Sequence, residues 1–159
     1  MTERREHWDH TYTVKSDTAV SWYQDVPERS LAFIRKAGKG SVIDIGGGAS
    51  RLVDRLLAEN YADLTVLDIS DVALGRSKER LGGEAGKVSW IVADITGWRP
   101  ERQWDIWHDR AVFHFLTDPV ATLAVRLRND FTLETQEAES HPTPFGTTQD
   151  FTYAVFKRI

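Results

Sequence analysis

Four aspartates and three consecutive glycines are the residues of this chain whose types and spacing can do chemistry. Asp44-Ile45-Gly46-Gly47-Gly48 runs on to Ser50, Asp68 stands twenty residues past Gly48, and Asp94 and Asp109 each close a short apolar run. Glycines at 46, 47 and 48 let the backbone turn sharply and approach a ligand closely, while a helix behind them offers free amides and a positive end to a carboxylate or phosphate. Asp68 is placed to accept two hydrogen bonds from vicinal ribose hydroxyls, each charge-assisted bond contributing about 1.5–3 kcal/mol. Asp94 and Asp109 have a plainer use too, because an aspartate after a strand caps local amides.

These residues need a scaffold that brings them to one edge. Ser41-Val42-Ile43-Asp44-Ile45 is a β-branched run ending in the glycines, and a helix with Leu52, Val53, Leu56 and Leu57 facing inward follows Ser50. Residues 63–68 form a second strand, Ser70 caps a helix that ends near Gly82-Gly83, and strands over 88–94 and 104–109 come next. Asp118-Pro119 opens a further helix through Leu123 and Leu127. Upstream, Pro27 starts a helix carrying Leu31, Phe33 and Ile34 on its apolar side, with Gly38 as its stop. Such alternation implies an α/β fold: a doubly wound, mostly parallel sheet with helices on both faces. Residues 131–135 and 150–156 alternate as two strands of a C-terminal antiparallel hairpin, joined by a loop holding Pro142, Pro144 and Gly146, which makes about six strands in all. The chain reads as one domain over 1–159: a flap or short helices over 1–25, βα units over 26–128 and the hairpin over 129–159.

Length and composition fit that reading, since 159 residues with 41% hydrophobic and 28% charged content describe one ordinary globular domain. A net charge of −4, with Lys and Arg scattered, gives no field to collect nucleic acid. The absence of cysteine removes disulfides, thiolate zinc sites and cysteine nucleophiles. No apolar run is long enough to cross a membrane and the charged N-terminus lacks a secretory signal, so the expected location is cytoplasmic. The five histidines show no ligand spacing with a carboxylate, and no metal is expected. His108 and His114, at or just past the end of the fourth strand, are the histidines placed to act as acid or base, with Asp109 beside them. A nicotinamide site wants glycine at the sixth position of the loop, where Arg51 stands, and no Gly-Lys-Ser/Thr follows for a phosphate-binding loop.

The combination Asp44-x-Gly46-x-Gly48-x-Ser50, an acidic end to the second strand and Ala93-Asp94 ending the third resembles class I S-adenosylmethionine-dependent methyltransferases. Glu6-His7-Trp8-Asp9-x-x-Tyr12 and the segment Trp107 to Leu116 are similar to those of small bacterial-type members. The resemblance implies that Gly46 and Gly48 pack under the methionine part of the cofactor, that Asp44, Gly47 and Ser50 belong to the same cofactor site, that Asp68 holds the ribose, and that Asp94 meets the adenine amine. It further implies that Ile69 and Ile95 sandwich the ring, and that His108 and Asp109 border the sulfonium. The implied reaction is methyl transfer to a small-molecule or protein acceptor, with S-adenosylhomocysteine as product. Trp8, Tyr12, Trp22 and Tyr23 form a lid over the sulfonium or a helix packed on the sheet.

One departure from the family bears on function. Its members carry a fifth strand and a helix before the last antiparallel pair, whereas residues 125–130 run directly into Phe131-Thr132-Leu133. The fourth strand then needs cover, either from the hairpin docked beside residues 104–108 or from a second copy in a homodimer. The shortened acceptor side leaves a second reading open, a cofactor-binding regulatory module without turnover.

Overall fold

The structure is a computed structural model that describes residues 3–110, 112, 131–143 and 145–158. Two compact units divide the chain, Met1–His108 and Asp109–Ile159.

In the first unit, α1 (Glu3–Val14) and a 3-10 turn over Asp17–Ala19 precede α2 (Glu28–Ala37). There follow β1 (Val42–Ile45), α3 (Leu52–Ala58), β2 (Leu64–Asp68), α4 (Asp71–Leu81), β3 (Val88–Val92) and β4 (Ile106–Asp109), the last residue of which opens the second unit. The sheet order is β3-β2-β1-β4, with β1–β2 and β2–β3 parallel and in continuous register from Val42 opposite Leu64 to Asp68 opposite Val92. Every residue of β1 and β2 is buried, the signature of central strands covered on both faces. Alternation sorts them. Val42, Leu64, Val66 and Val88 join Leu31 and Ile34 of α2, Leu52, Val53 and Leu56 of α3, and Leu74 of α4 in the main core. Ile43, Ile45 and Leu67, at the alternate positions, are buried as well. The helix expected from Asp118 lies outside the described residues.

Local chemistry moves several boundaries. Pro27 stands just before α2 rather than within it, its carbonyl accepting the first helical bond from the Leu31 amide at 3.0 Å. Gly38 ends α2 at φ +101°, a conformation a side chain resists. Ser70 caps α4 as expected, its Oγ accepting from the Ala73 amide at 3.2 Å. β4 begins at Ile106 because Trp104 and Asp105 are engaged otherwise: Trp104 Nε1 donates to Thr65 Oγ1, and the Asp105 carboxylate accepts from the Ser41 amide and hydroxyl, both at 2.8 Å.

The second unit contains β5 (Phe131–Pro142) and β6 (Thr148–Arg158), an antiparallel pair forming a two-stranded sheet of its own. Both strands run longer than expected. Pro142 pairs with Thr148 as the last residue of β5 rather than lying in the loop. The turn is closed by the Thr143 amide donating to Thr147 O at 2.7 Å, with Gly146 at φ +77°. A bulge interrupts the register between Leu133 and Thr135.

Candidate functional site

Parallel strands end together, so β1 and β2 deliver Asp44 and Asp68 to one edge of the sheet and the chain beyond β3 delivers Asp94. The glycine loop folds back over that edge. Gly46 donates to Leu67 O at 2.6 Å and Ser50 to Gly47 O at 2.7 Å. A Cβ on Gly47 would stand 2.6 Å from Asp44 Oδ2, and one on Gly48, which holds φ +40°, would stand 2.8 Å from Asp68 Oδ2. The glycines are thus required by contact with the two carboxylates and, at 48, by backbone conformation. Ser50 serves the helix that follows, accepting from the Leu52 amide at 3.2 Å.

Asp68 is buried, its Oδ1 accepting from the Ser70 amide at 2.8 Å. Burial pushes its carboxyl up to about 7; the Ser70 and Ile69 amides oppose that rise, while the neighbouring Asp44 and Asp9 add to it. Asp94 goes the other way. Burial raises it, but the hydroxyl and amide of Thr96, at 2.7 and 2.9 Å, and the Arg4 guanidinium at 3.3 Å outweigh burial and leave it below the usual carboxylate range. Asp94 therefore combines the local capping role with an ion pair to α1, ninety residues away. Ile69 and Ile95 are both half-buried beside these carboxylates in sequence.

His108 reaches Asp44 from β4, with Nδ1 2.7 Å from Asp44 Oδ1 and Nε2 2.9 Å from Ser30 Oγ. Both ring nitrogens are engaged within the protein, so in this arrangement neither is available to a substrate. Asp109 accepts from the Val112 amide at 3.1 Å, a local cap. His114 lies outside the described residues, and among the described residues no cluster of His, Asp and Glu is arranged to hold a metal ion.

α1 covers the glycine edge. Asp9 Oδ1 accepts the Ser70 hydroxyl at 2.6 Å, and Tyr12, Trp8 and Trp22 pack with Ala49 and Ala73, the ring of Trp8 standing edge-on to Trp22 at 5.5 Å. Tyr12 Oη would lie 3.4 Å from a Cβ on Gly48, which places it over the loop. Tyr23 turns away to bond Asp25. Between α1 and Asp94 a cleft of about 470 Å³ is lined by Glu3, Arg4, His7 and Asp94. Past α1 the chain is tied down: Arg76 donates to Lys15 O at 2.8 Å and to Asp17 at 2.7 Å. Arg80 donates to Ala49 O, Ser50 O and Asp54, clamping the end of the glycine loop to α3.

The glycine contacts define a cradle that any Cβ would fill. The acceptors around it suit a ligand with hydroxyls to donate and positive charge to neutralise, as S-adenosylmethionine has. Sequence reasoning missed Ser30, although a serine four residues before Ile34 on the buried stripe of α2 is a polar group on an apolar face and so a signal in itself. It also missed the reach of Asp9 and Arg4, because long-range partners of an N-terminal helix leave no periodic trace.

Comparison with known proteins agrees with this geometry. The methyltransferase domain family matches residues 42–130. The eEF1A lysine and N-terminal methyltransferase of Mus musculus is 30% identical over 94 residues, which cover 57% of this chain and 13% of that protein, so the chain spans only a small part of this relative. Among solved structures, the N-methyltransferase NodS of Bradyrhizobium japonicum, in complex with S-adenosyl-L-homocysteine, shares 16% identity at a TM-score of 0.64, covering 96% of each chain. A SAM-dependent methyltransferase of Anabaena variabilis shares 12% at a TM-score of 0.63, covering 100% of this chain and 96% of that one. With its family match spanning the glycine loop and all four strands of the β3-β2-β1-β4 sheet, the chain belongs to the class I S-adenosylmethionine-dependent methyltransferases.

Proposed function

We propose that this chain binds S-adenosylmethionine across the ends of β1, β2 and β3 and transfers its methyl group to an amine on a small molecule or protein. One observation carries the reading: Asp44 and Asp68 lie buried beneath Gly47 and Gly48, so close that no side chain fits at either glycine. The amine preference rests on the names of two similar proteins, one acting on lysine and an N-terminus, the other an N-methyltransferase.

When bound, the cofactor supplies a methyl group made electrophilic by positive sulfur. Asp68 would hold the ribose, Asp94 and the half-buried Ile69 and Ile95 the adenine, and the backbone of Gly46 to Gly48 the methionine part. Tyr12 and Trp8 on α1 exclude water from above the loop, and aromatic faces favour a cation there. The remaining task is to align and desolvate the incoming nucleophile. Calorimetry with S-adenosylmethionine and S-adenosylhomocysteine on wild type and Asp68→Ala tests the site; micromolar binding lost in the variant is expected, and no binding by folded wild type overturns the reading.

A second reading, cofactor binding without turnover, is favoured by the engagement of both His108 nitrogens, which leaves this ring unable to act as a base in this arrangement. Release of S-adenosylhomocysteine over a panel of amines separates the two. We also propose a homodimer, because β4 is the terminal strand of the four-stranded sheet among the described residues and the hairpin forms a separate sheet. A monomeric mass at micromolar concentration argues against it.

A further inference from the structure

Ser30, His108 and Asp44 stand in line, with Ser30 Oγ 2.9 Å from Nε2 and Nδ1 2.7 Å from the carboxylate. The residue types and spacings match those of a hydrolase triad, yet Ser30 is 1% exposed and faces the core from the first turn of α2. No substrate reaches it, so nucleophilic chemistry is ruled out by access. What the line does is mechanical. The His108 and Asp44 side chains are 9% and 7% exposed, and buried polar groups of this kind hold position only when each donor and acceptor is matched. Asp44 accepts from Nδ1 through one oxygen, while its other oxygen, together with Val66 Cγ1, leaves no room for a side chain at Gly47.

We propose that Ser30 and His108 are positioning residues for the cofactor site. The buried chain from α2 through β4 to β1 fixes the Asp44 carboxylate against the glycine loop, and cofactor affinity depends on a helix residue that never touches the cofactor. The inference rests on the proposed binding of S-adenosylmethionine at this loop. The alternative, a polar contact that merely fills space between α2 and the sheet, predicts a loss of stability with no change in the loop.

The test compares Ser30→Ala, His108→Asn, which keeps a donor near the Nδ1 position, and His108→Leu, which keeps none. Calorimetry with S-adenosylhomocysteine is expected to show about tenfold weaker binding for Ser30→Ala and His108→Asn, and a further loss for His108→Leu. Binding by Ser30→Ala equal to wild type, or by His108→Leu equal to His108→Asn, overturns the proposal. Nitrogen-15 NMR of the ligand-free protein gives a readout that does not need the cofactor. Ser30→Ala should shift both His108 ring nitrogens and speed amide exchange at Gly46 and Ser50, whose bonds close the loop. If wild type binds neither S-adenosylmethionine nor S-adenosylhomocysteine, the proposed function fails and these spectra still decide the chain: unchanged loop exchange in folded Ser30→Ala refutes it.

Discussion

Replacing Asp68 by Asn should stabilise the ligand-free protein at neutral pH while abolishing cofactor binding. Asp68 is 7% exposed, and burial, with Asp44 and Asp9 nearby, lifts its carboxyl from an ordinary 3.8 to about 7. Below 3.8 the group is protonated in both folded and unfolded chains and imposes no charge on the core. As pH rises from 3.8 through about 7, the unfolded chain ionises first, and stability is lost progressively until both states are ionised. That interval corresponds to a loss of about 4 kcal/mol, near the upper end for one side chain. Asn keeps an acceptor for the Ser70 amide, so the 2.8 Å bond survives while the titration disappears. Urea unfolding followed by tryptophan fluorescence, at about pH 5 and about pH 8, reads the effect as a difference between the two proteins, which cancels groups they share. The advantage of Asp68→Asn over wild type should grow by about 2 kcal/mol or more between those pH values. An advantage that does not change with pH refutes the claim that burial of this carboxyl is costly.

Gly47→Ala brings a methyl group to 2.6 Å from Asp44 Oδ2 and also from Val66 Cγ1, so the loop must shift. It should weaken S-adenosylhomocysteine by about tenfold or more in calorimetry and cost about 1–3 kcal/mol of stability. Arg80→Met removes the clamp on Ala49 O and Ser50 O and leaves Asp54 without its bidentate partner. Chemical denaturation should show a loss of about 3 kcal/mol. Tyr12→Ala empties the centre of the aromatic group under α1, where Tyr12 is 6% exposed and accepts from Trp22 Nε1 at 3.3 Å. A loss of about 3 kcal/mol in thermal unfolding is expected, with faster cofactor dissociation in stopped-flow fluorescence.

The parallel layer was legible because its signals are local. A β-branched run, glycines, a capping serine and a 3.6-residue apolar stripe each belong to one segment, and β1, α3, β2 and α4 fell where those signals stand. Boundaries shifted where a distant side chain intervened, as when Asp105 bonds Ser41 and delays β4. The carboxylates at the strand ends were legible for the same reason, since strand termination is a property of the run itself. The partnership of His108 was not. Its position at the end of the fourth strand suggests a catalytic group, but whether a strand-end histidine faces ligand or core depends on which residue α2 presents across the sheet, and that residue, Ser30, lies 78 positions away. The length of the hairpin was also hidden, because residues 136–141 show no apolar alternation of their own, and strand pairing with β6 overrides their weak propensity.

The two ends of α1 are fastened by different means. Its outer end is held by Arg4 to Asp94 at 3.3 Å, with the arginine 58% exposed, while the chain just past its inner end is held by Arg76 on the Lys15 carbonyl and the less exposed Asp17. Dissolved ions screen the first within a Debye length of about 8 Å at physiological strength, and reach the second far less. Ionic strength thus acts on this helix as on a hinged door: it loosens the free edge and leaves the pivot in place.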